Sequence, residues 1–337
     1  LGIVGASVLN AELGIQQGFR LFDDETPLDM GRRYEDRADS VTRRAIQLLQ
    51  QRQQDRPVFL WVHYYDAHSP YDAPRDFKER YVDPGYRIQS TQEASFERLA
   101  DRLRAGQMPK TDLEHLIGLY HAEVAWTDSQ MGRLFDTLDS EGLLDNSLVA
   151  ITSDHGEAFN EGRVHPLGHG HDIDQWATHI PLAIAGQGPH APPPTRIAQS
   201  VKLSDVGSTL LSLAKLPPAL GKGQDLSPLA RGESLASTPI FMEASKPKMG
   251  EVSTRWNNIG KEQGVISGTR IFIHNPRLRP TDRLYDLRNI GIPVEDDSAQ
   301  TYFKSLIDGW NERAPPFRQE AFTDEIHEAL KALGYLE

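Results

Sequence analysis

The sequence has no cysteine among its 337 residues. This absence excludes disulfide bonds, thiolate metal sites and a cysteine nucleophile within the chain. Long apolar runs are also missing, since no stretch approaches the roughly 20 consecutive apolar residues of a membrane-spanning helix. Positive charge is scarce: 36 Lys and Arg stand against 48 Asp and Glu, for a formal net charge of −12. A chain this acidic is a poor candidate for binding nucleic acid or an anionic membrane surface.

Several familiar motifs are absent as well. The sequence contains no HExxH zinc motif, no Walker loop, no dinucleotide-binding glycine fingerprint and no Ser or Thr in a recognisable nucleophile setting. Histidine, in contrast, is plentiful, with 12 residues in the chain. Five of them fall between residues 155 and 179, in a segment that also carries many glycines. We therefore look for chemistry first at the histidines.

The hydrophobic pattern predicts strands that alternate with helices. Apolar runs typical of buried strands lie at 58–62, 148–151 and 181–185. Apolar residues recur at helical spacing over 34–53 and 113–138, and a capped helix is expected from Ser204 or Asp205. Residues 83–112 are polar and weakly patterned, and we expect a surface excursion there. The alternation predicts an α/β fold whose sheet is at least partly parallel.

The pattern changes after about residue 236. Short strand patterns lie at 240–242, 264–266 and 271–273, the last two joined as a hairpin, and helical patterns lie near 299–312 and 323–333. We therefore predict two domains. An α/β core occupies 1–235, and a smaller α+β subdomain occupies 236–337.

Two polar clusters directly follow predicted strands, one from His63 to Tyr71 and one from Ser153 to Glu157. Ligands of open α/β sheets bind at the carboxyl ends of strands, so this placement favours a site. Asp154 and His155 can turn toward one point if the backbone bends at Gly156. A carboxylate oxygen beside an imidazole nitrogen suits a divalent cation such as Mn, Zn, Mg or Ca. The alternative is a helix-capping aspartate beside a solvated histidine.

Further candidates lie in the flanking loops. His68 sits in a Pro- and Tyr-flanked turn, where an imidazole can protonate a leaving oxygen or bind an oxyanion. Asp66 is expected to orient His68, to bind substrate or merely to cap the turn. His169 and His171 are two residues apart, so an extended segment would point both the same way, as substrate contacts often are. The alternatives are a surface histidine for His68 and a solvated glycine-rich loop for the other two.

An ordered series of segments carries a family resemblance. The series comprises FLWVHYYDAHSPY, EVAWTDSQMGRLFDTLDSEGLLDNSLVAITSDHGEAF, HGHDIDQWATHIPLAI, SDVGSTLLSLAKLP, RLYDL and the final LKALGYL. Together they resemble the sulfatase branch of the alkaline phosphatase superfamily over nearly the whole chain. The resemblance implies a mixed sheet sandwiched by helices, with a smaller C-terminal domain of antiparallel strands alongside.

The resemblance also implies roles for particular residues. Asp154 and His155 would ligate one divalent metal ion, with Ca or Mn favoured over Mg or Zn. His68 would contact the ester and help the leaving group depart. His169 would lie against the anionic group, with His171 as a weaker substrate-binding candidate beside it. The implied substrate is a small anionic ester, for which a sulfated sugar is one candidate.

The family mechanism needs parts that these residues do not supply. Its nucleophile is a formylglycine made from Cys or Ser, or a Ser or Thr in phosphate-transferring relatives, and it lies with two metal-ligating aspartates in an N-terminal third. The match here begins downstream of those parts, and Asp23 and Asp24 come too late to be those ligands. We therefore expect a preceding segment or a second chain to complete the site.

Three functions stay open at this point. The leading one is metal-dependent hydrolysis of a sulfate ester. The second keeps the fold and changes the substrate to a phosphodiester or a phosphonate monoester. The third is a catalytically inactive family member that binds sugars or a partner.

Overall fold

A computed structural model describes residues 1–25, 36–86, 88, 96–160, 167–170, 172–218, 223–244, 261–276 and 280–313. Its described residues form two compact units, the first unit ending at Gly142 and the second unit starting at Leu143. The predicted domain boundary near residue 235 stays a prediction. None of the described helices combines the length and apolar character that crossing a lipid bilayer requires.

The first unit is built on a small parallel sheet. Its strands are β1 (Gly2–Val4), β2 (Phe22–Asp23) and β3 (Trp61–His63), in the order β2-β1-β3. The strand expected at 58–62 is present but begins at Trp61, because Phe59 is largely exposed rather than buried. The carboxyl end of β3 leads directly into the loop that carries His68.

Helices accompany this sheet. They are α1 (Ala38–Leu49), α2 (Arg75–Lys78), α3 (Phe96–Arg104) and α4 (Lys110–Ser140). Among the described residues, α1 packs on strands β1 and β3. The predictions over 34–53 and 113–138 are confirmed by α1 and α4. Their packing is fixed by Thr42, whose Oγ1 donates to the Gln130 carbonyl at 3.2 Å. The surface excursion expected over 83–112 is wrong in part, because α3 lies there and buries Leu99 and Ala100 among charged neighbours that obscure the apolar stripe.

A buried arginine ties the sheet to α1. The Arg44 guanidinium donates to the Val4 carbonyl at 2.8 Å. Its Nε lies 3.1 Å from Asp36 Oδ2. It also pairs with Asp23 at the end of β2. The neighbouring Asp24 accepts a hydrogen bond from the Ala11 amide at 2.8 Å. Within the first unit, both of these aspartates therefore hold local structure.

The described residues of the second unit form three antiparallel sheets. The strands are β4 (Leu148–Thr152), β5 (Ala158–Phe159), β6 (Leu167–Gly168), β7 (Leu182–Gly186), β8 (Ile240–Ala244), β9 (Glu262–Ser267), β10 (Arg270–His274), β11 (Asp282–Asp286) and β12 (Asn289–Pro293). Strand β4 pairs with β7, β5 pairs with β6, and the others form a sheet in the order β12-β11-β10-β9-β8. The helices are α5 (Gln175–Thr178), α6 (Asp205–Leu213), α7 (Ser227–Ala230) and α8 (Asp297–Arg313). The strands predicted at 148–151 and 181–185 are confirmed by β4 and β7, and the helix expected from Ser204 or Asp205 by α6.

The five-stranded sheet is covered on both faces. One face packs Val265, Phe272 and Leu284 against Phe303 and Ile307 of α8. On the other face, a cluster is formed by Ile173, Ala244 and Ile271. The predicted strands β8, β9 and β10, their hairpin and the helix near 299–312 are confirmed. Strands β11 and β12 were not expected, and the helix predicted at 323–333 lies outside the described residues.

Candidate active site

Strand β4 delivers the Asp-His pair, and Gly156 makes the bend that follows it. The Gly156 amide donates to the Ala177 carbonyl at 2.9 Å. A Cβ added at Gly156 would lie only 1.9 Å from the Trp176 carbonyl oxygen, far inside any real contact distance. Only glycine fits this close approach between the β4 end and α5. The predicted bend therefore has a steric cause.

Asp154 and His155 present two donor atoms to solvent. The Nδ1 of His155 lies 3.0 Å from the Gly156 carbonyl, which can only accept, so Nδ1 is the donor in this contact. The His155 Nε2 lies 3.6 Å from Asp154 Oδ2. The His155 side chain is 37% exposed and the Asp154 side chain is 74% exposed. Both atoms are therefore available to one ligand.

The donor types of the pair are compatible with the divalent cation that the sequence predicts here. Asp154 Oδ2 and His155 Nε2 would supply one oxygen and one nitrogen donor to such an ion. Across the part of the chain that the structure describes, no group of three or more His, Asp or Glu side chains is arranged to hold a metal. Catalytic metal sites normally use at least three protein ligands. Asp154 and His155 by themselves supply fewer ligands than such a site needs, and their role as metal ligands stays a prediction.

Strands β5 and β6 bring His169 to the same place. Their pairing sets Ala158 opposite Gly168, the residue before His169. The imidazole rings of His155 and His169 stack with centroids 3.9 Å apart and an interplanar angle of 25°. The structure therefore groups Asp154, His155 and His169, three of the predicted site residues. His171 lies outside the described residues.

Glu157 is a partner of His169 that the sequence reasoning did not single out. Its Oε1 lies 3.2 Å from His169 Nδ1, and both side chains are buried, to 6% and 12% exposure. A carboxylate accepts, so Nδ1–H donates and the ring is oriented with Nε2 pointing away from Glu157. The only sequence signal was its place in SDHGE, one residue before β5.

In the first unit, His68 is held by its own turn. Its amide donates to the Tyr65 carbonyl at 3.1 Å, and the two rings stack with centroids 4.5 Å apart. The His68 Nδ1 lies 2.6 Å from the Ser69 carbonyl, which can only accept, so Nδ1 is the donor in this contact. The Ser69–Pro70 peptide bond is cis.

Carboxyl groups surround the His68 turn. A pocket of about 30 Å³ is lined by Asp36, Arg37, Tyr65, Asp66, His68, Pro70, Asp72 and Glu123. Burial raises the pKa of Asp66 to about 6, although this carboxylate accepts a hydrogen bond from the Ala38 amide at the start of α1. Burial, followed by the nearby Asp66 charge, raises the pKa of Glu123 to about 7. Glu123 also accepts a hydrogen bond from the Asp72 amide.

Asp66 is therefore placed against the start of α1, and its proposed role toward substrate stays a prediction. Glu123 was not among the predicted residues. It lies on α4, 51 residues from the amide it binds, and its helix position resembles that of an ordinary surface glutamate. Only the folded structure shows that it reaches the His68 turn.

A family model described as Sulfatase matches residues 14–216. Iduronate 2-sulfatase of Homo sapiens is 30% identical over 161 residues, which cover 42% of this chain and 29% of that protein. The chain thus spans less than a third of this curated relative.

Solved structures extend the likeness to the whole fold. The crystal structure of Ps i-CgsB in complex with k-i-k-neocarrahexaose has a TM-score of 0.59 and 15% identity, covering 99% of this chain and 69% of that one. The phosphonate monoester hydrolase of Agrobacterium radiobacter has a TM-score of 0.54 and 21% identity, covering 81% and 58%. At these identities the likeness shows the fold alone. It confirms the predicted α/β fold class of the alkaline phosphatase and sulfatase type.

Proposed function

Because the chain belongs to the sulfatase family of the alkaline phosphatase superfamily, we propose that it forms part of a metal-dependent hydrolase that cleaves sulfate esters. One observation carries this proposal. The family match spans both the His68 turn and the place where the structure gathers Asp154, His155 and His169.

Asp154 and His155 are proposed as ligands of one divalent metal ion. Sulfatases generally depend on a divalent metal, and we propose Ca or Mn as the ion because the family resemblance favours these two. Such an ion polarises the ester and lowers the pKa of the nucleophile when it is bound. The protein's part is to hold the two donors together through the Gly156 bend and the Nδ1 hydrogen bond of His155.

His169 is proposed to bind the anionic group of the substrate. Glu157 accepts from Nδ1 and orients the ring, and Nε2 is the atom that we assign to the ester. When Nε2 also carries a proton, it donates to a sulfate oxygen, and Glu157 balances the charge of the ring. His171, two residues further on, is proposed as an additional substrate contact.

His68 is proposed to assist the leaving oxygen. Its Nδ1 is committed to the Ser69 carbonyl, so Nε2 is the atom that can deliver a proton or a hydrogen bond. Asp66, whose pKa is raised toward neutrality by burial, is proposed as a second polar contact for substrate in the same turn.

A sulfated sugar is the substrate class that we propose. The likeness to the Ps i-CgsB structure, which contains k-i-k-neocarrahexaose, supports this choice. We further propose that the nucleophile and the remaining metal ligands come from polypeptide outside these 337 residues. Support for this is that the chain spans only part of its curated relative.

A second candidate is hydrolysis of a phosphonate monoester or a phosphodiester. Its support is the fold likeness to the phosphonate monoester hydrolase of Agrobacterium radiobacter. The third reading, a non-catalytic binding protein, predicts neither turnover nor metal binding.

Hydrolysis by the full-length protein separates these readings. Sulfate release from a sulfated sugar and from an aryl sulfate is compared with product release from the matching phosphonate and phosphodiester. We expect sulfate esters to be hydrolysed with the higher kcat/KM. Faster hydrolysis of the phosphonate would support the second candidate, and no turnover of any ester would support the third.

The His68→Ala variant tests the proposed leaving-group role. General acid assistance is worth roughly 10²–10⁴-fold, so turnover of the sugar ester should fall by at least 100-fold, and that of an aryl sulfate with a good leaving group by much less. The exposed His121 of α4 serves as the control, and His121→Ala should keep its activity. Equal losses on both esters would contradict the assignment.

A further inference from the structure

The segment that carries His169 ends in a buried anchor. This histidine loop, taken as the described residues 167–170 and 172–173, starts in β6 and ends at Ile173. The Ile173 amide donates to Glu262 Oε1 at 2.6 Å, across 89 residues of sequence. The Ile173 side chain packs with Ala244 and Ile271 on one face of the five-stranded sheet. A backbone hydrogen bond and a hydrophobic contact therefore fix the same residue.

Glu262 is a charged residue type in a buried position of the five-stranded sheet. It begins β9 and is only 4% exposed. Its second oxygen accepts a hydrogen bond from the Asn275 side-chain amide. A carboxylate is costly to bury, and its hydrogen bonds to a backbone amide and a side-chain amide offset that cost only while both donors stay in place. The same requirement fixes the position of the Ile173 amide.

The other end of the histidine loop is fixed as well. Pairing of β6 with β5 sets Gly168 opposite Ala158, and His169 contacts Glu157 immediately before β5. Beyond Ile173, the Asp174 carboxylate caps α5 by accepting from the Trp176 amide at 2.7 Å. The loop is thus held before and after His169, and Glu262 provides the polar contact from the five-stranded sheet beside the apolar contacts of Ile173 with Ala244 and Ile271.

We propose that Glu262 is a positioning residue for the candidate active site: through the Ile173 amide it holds the histidine loop so that His169 stacks on His155. The expected effect of Glu262 on kcat rests on the proposed function. The structural part of the inference stands on the hydrogen bonds of Glu262, the packing of Ile173 and the ring stacking. The five-stranded sheet is then a determinant of site geometry as well as a folding unit.

Glu262→Met tests the inference, because methionine keeps the size of the side chain and removes both acceptors. Hydrogen exchange reports the Ile173 amide directly, and long-range ¹H–¹⁵N spectra report the rings of His155 and His169. Loss of a charge-assisted bond should lower protection of the Ile173 amide by at least roughly tenfold. The two ring signals should shift together as the stacking loosens. Glu262→Gln keeps an acceptor oxygen and should restore most of both signals.

Gln263 provides the matched control. It is the next residue of β9, is equally buried and bonds to Glu243 and Asn311, so its side chain lies on the opposite side of the strand. Gln263→Met should leave the Ile173 amide and both rings unchanged. If it moves them as much as Glu262→Met does, the effect is general loosening of the sheet and the proposal is overturned.

Unchanged ring signals and amide protection in Glu262→Met would also overturn it. If Glu262→Met does not fold, Glu262→Asp decides the matter, because it keeps the charge but withdraws the carboxylate by one methylene. The spectroscopic readout does not require turnover, so it stands even if no ester is hydrolysed. Where the protein is active, Glu262→Met should lower kcat by at least tenfold, and Gln263→Met should not.

Discussion

Glu123 gives the sharpest quantitative prediction, because its carboxyl group is buried beside a second carboxyl. Burial and the Asp66 charge raise the pKa of Glu123 to about 7 from an ordinary value of 4.5. A native pKa above the unfolded one means that the native state binds more protons between these two values. The free energy of unfolding therefore falls as pH rises from about 4.5 to about 7.

The magnitude follows from the same shift. One pKa unit corresponds to 1.36 kcal/mol, so a shift of this size sets an upper limit of about 3 kcal/mol for an isolated group. Because Asp66 titrates in an overlapping range, the part that belongs to Glu123 alone should be about 1–2 kcal/mol. Glu123→Gln removes this penalty, while its amide oxygen can still accept from the Asp72 amide. The variant should equal or slightly trail the wild type at pH 4 and exceed it by about 1–2 kcal/mol at pH 8.

Urea unfolding followed by pulsed hydrogen exchange measures this difference in the first unit. Peptides from α4 are read at pH 4, 6 and 8 for both proteins. Glu114, an exposed residue of the same helix that pairs with Lys110, is the control. Glu114→Gln should change stability by less than about 0.5 kcal/mol at every pH. A Glu123→Gln difference that does not change with pH, or that favours the wild type at pH 8, would refute the reasoning.

Two further variants test local packing. Gly156→Ala would place a methyl group 1.9 Å from the Trp176 carbonyl oxygen, so we expect a loss of at least about 2 kcal/mol in urea unfolding of the second unit. Gly207→Ala in α6, where a Cβ meets nothing within 4 Å, should instead be neutral or stabilising. Arg44→Met leaves Asp23 and Asp36 without their buried guanidinium and should destabilise the first unit by about 3–5 kcal/mol. The exposed Arg43→Met should have little effect on the free energy of unfolding. Similar losses for both arginine variants would contradict the role given to the buried ion pairs of Arg44.

Continuous apolar runs and strong helical periodicity made most of the framework predictable. Strands β4 and β7 are short apolar segments with turn residues beside them, and α4 shows a clear apolar recurrence over many turns. Helix α3 could not be found in this way, because its apolar residues are outnumbered by charged ones. Strand β11 buries only Leu284 among its five residues, so its sequence carries no strong strand pattern.

The candidate site shows the same division. Asp154, His155 and His169 were predictable because they lie in a short segment after a strand, close together in sequence. The residues that hold them were not, since their partners are distant along the chain. Glu157 reaches across 12 residues to His169, and Glu262 reaches across 89 residues to Ile173. Such pairings depend on tertiary packing and leave no local pattern in a single sequence.

Metal binding at Asp154 and His155 tests the central claim most directly. Calorimetric titration of the full-length, metal-free protein with Mn²⁺ and Ca²⁺ is compared with the same titration of Asp154→Ala. The exposed Asp145, in the turn before β4, provides the control variant Asp145→Ala. We expect one high-affinity ion per chain in the wild type and in Asp145→Ala, and an affinity lowered by roughly 100-fold or more in Asp154→Ala. Equal metal binding by the wild type and Asp154→Ala would contradict the ligand assignment and with it the proposed site.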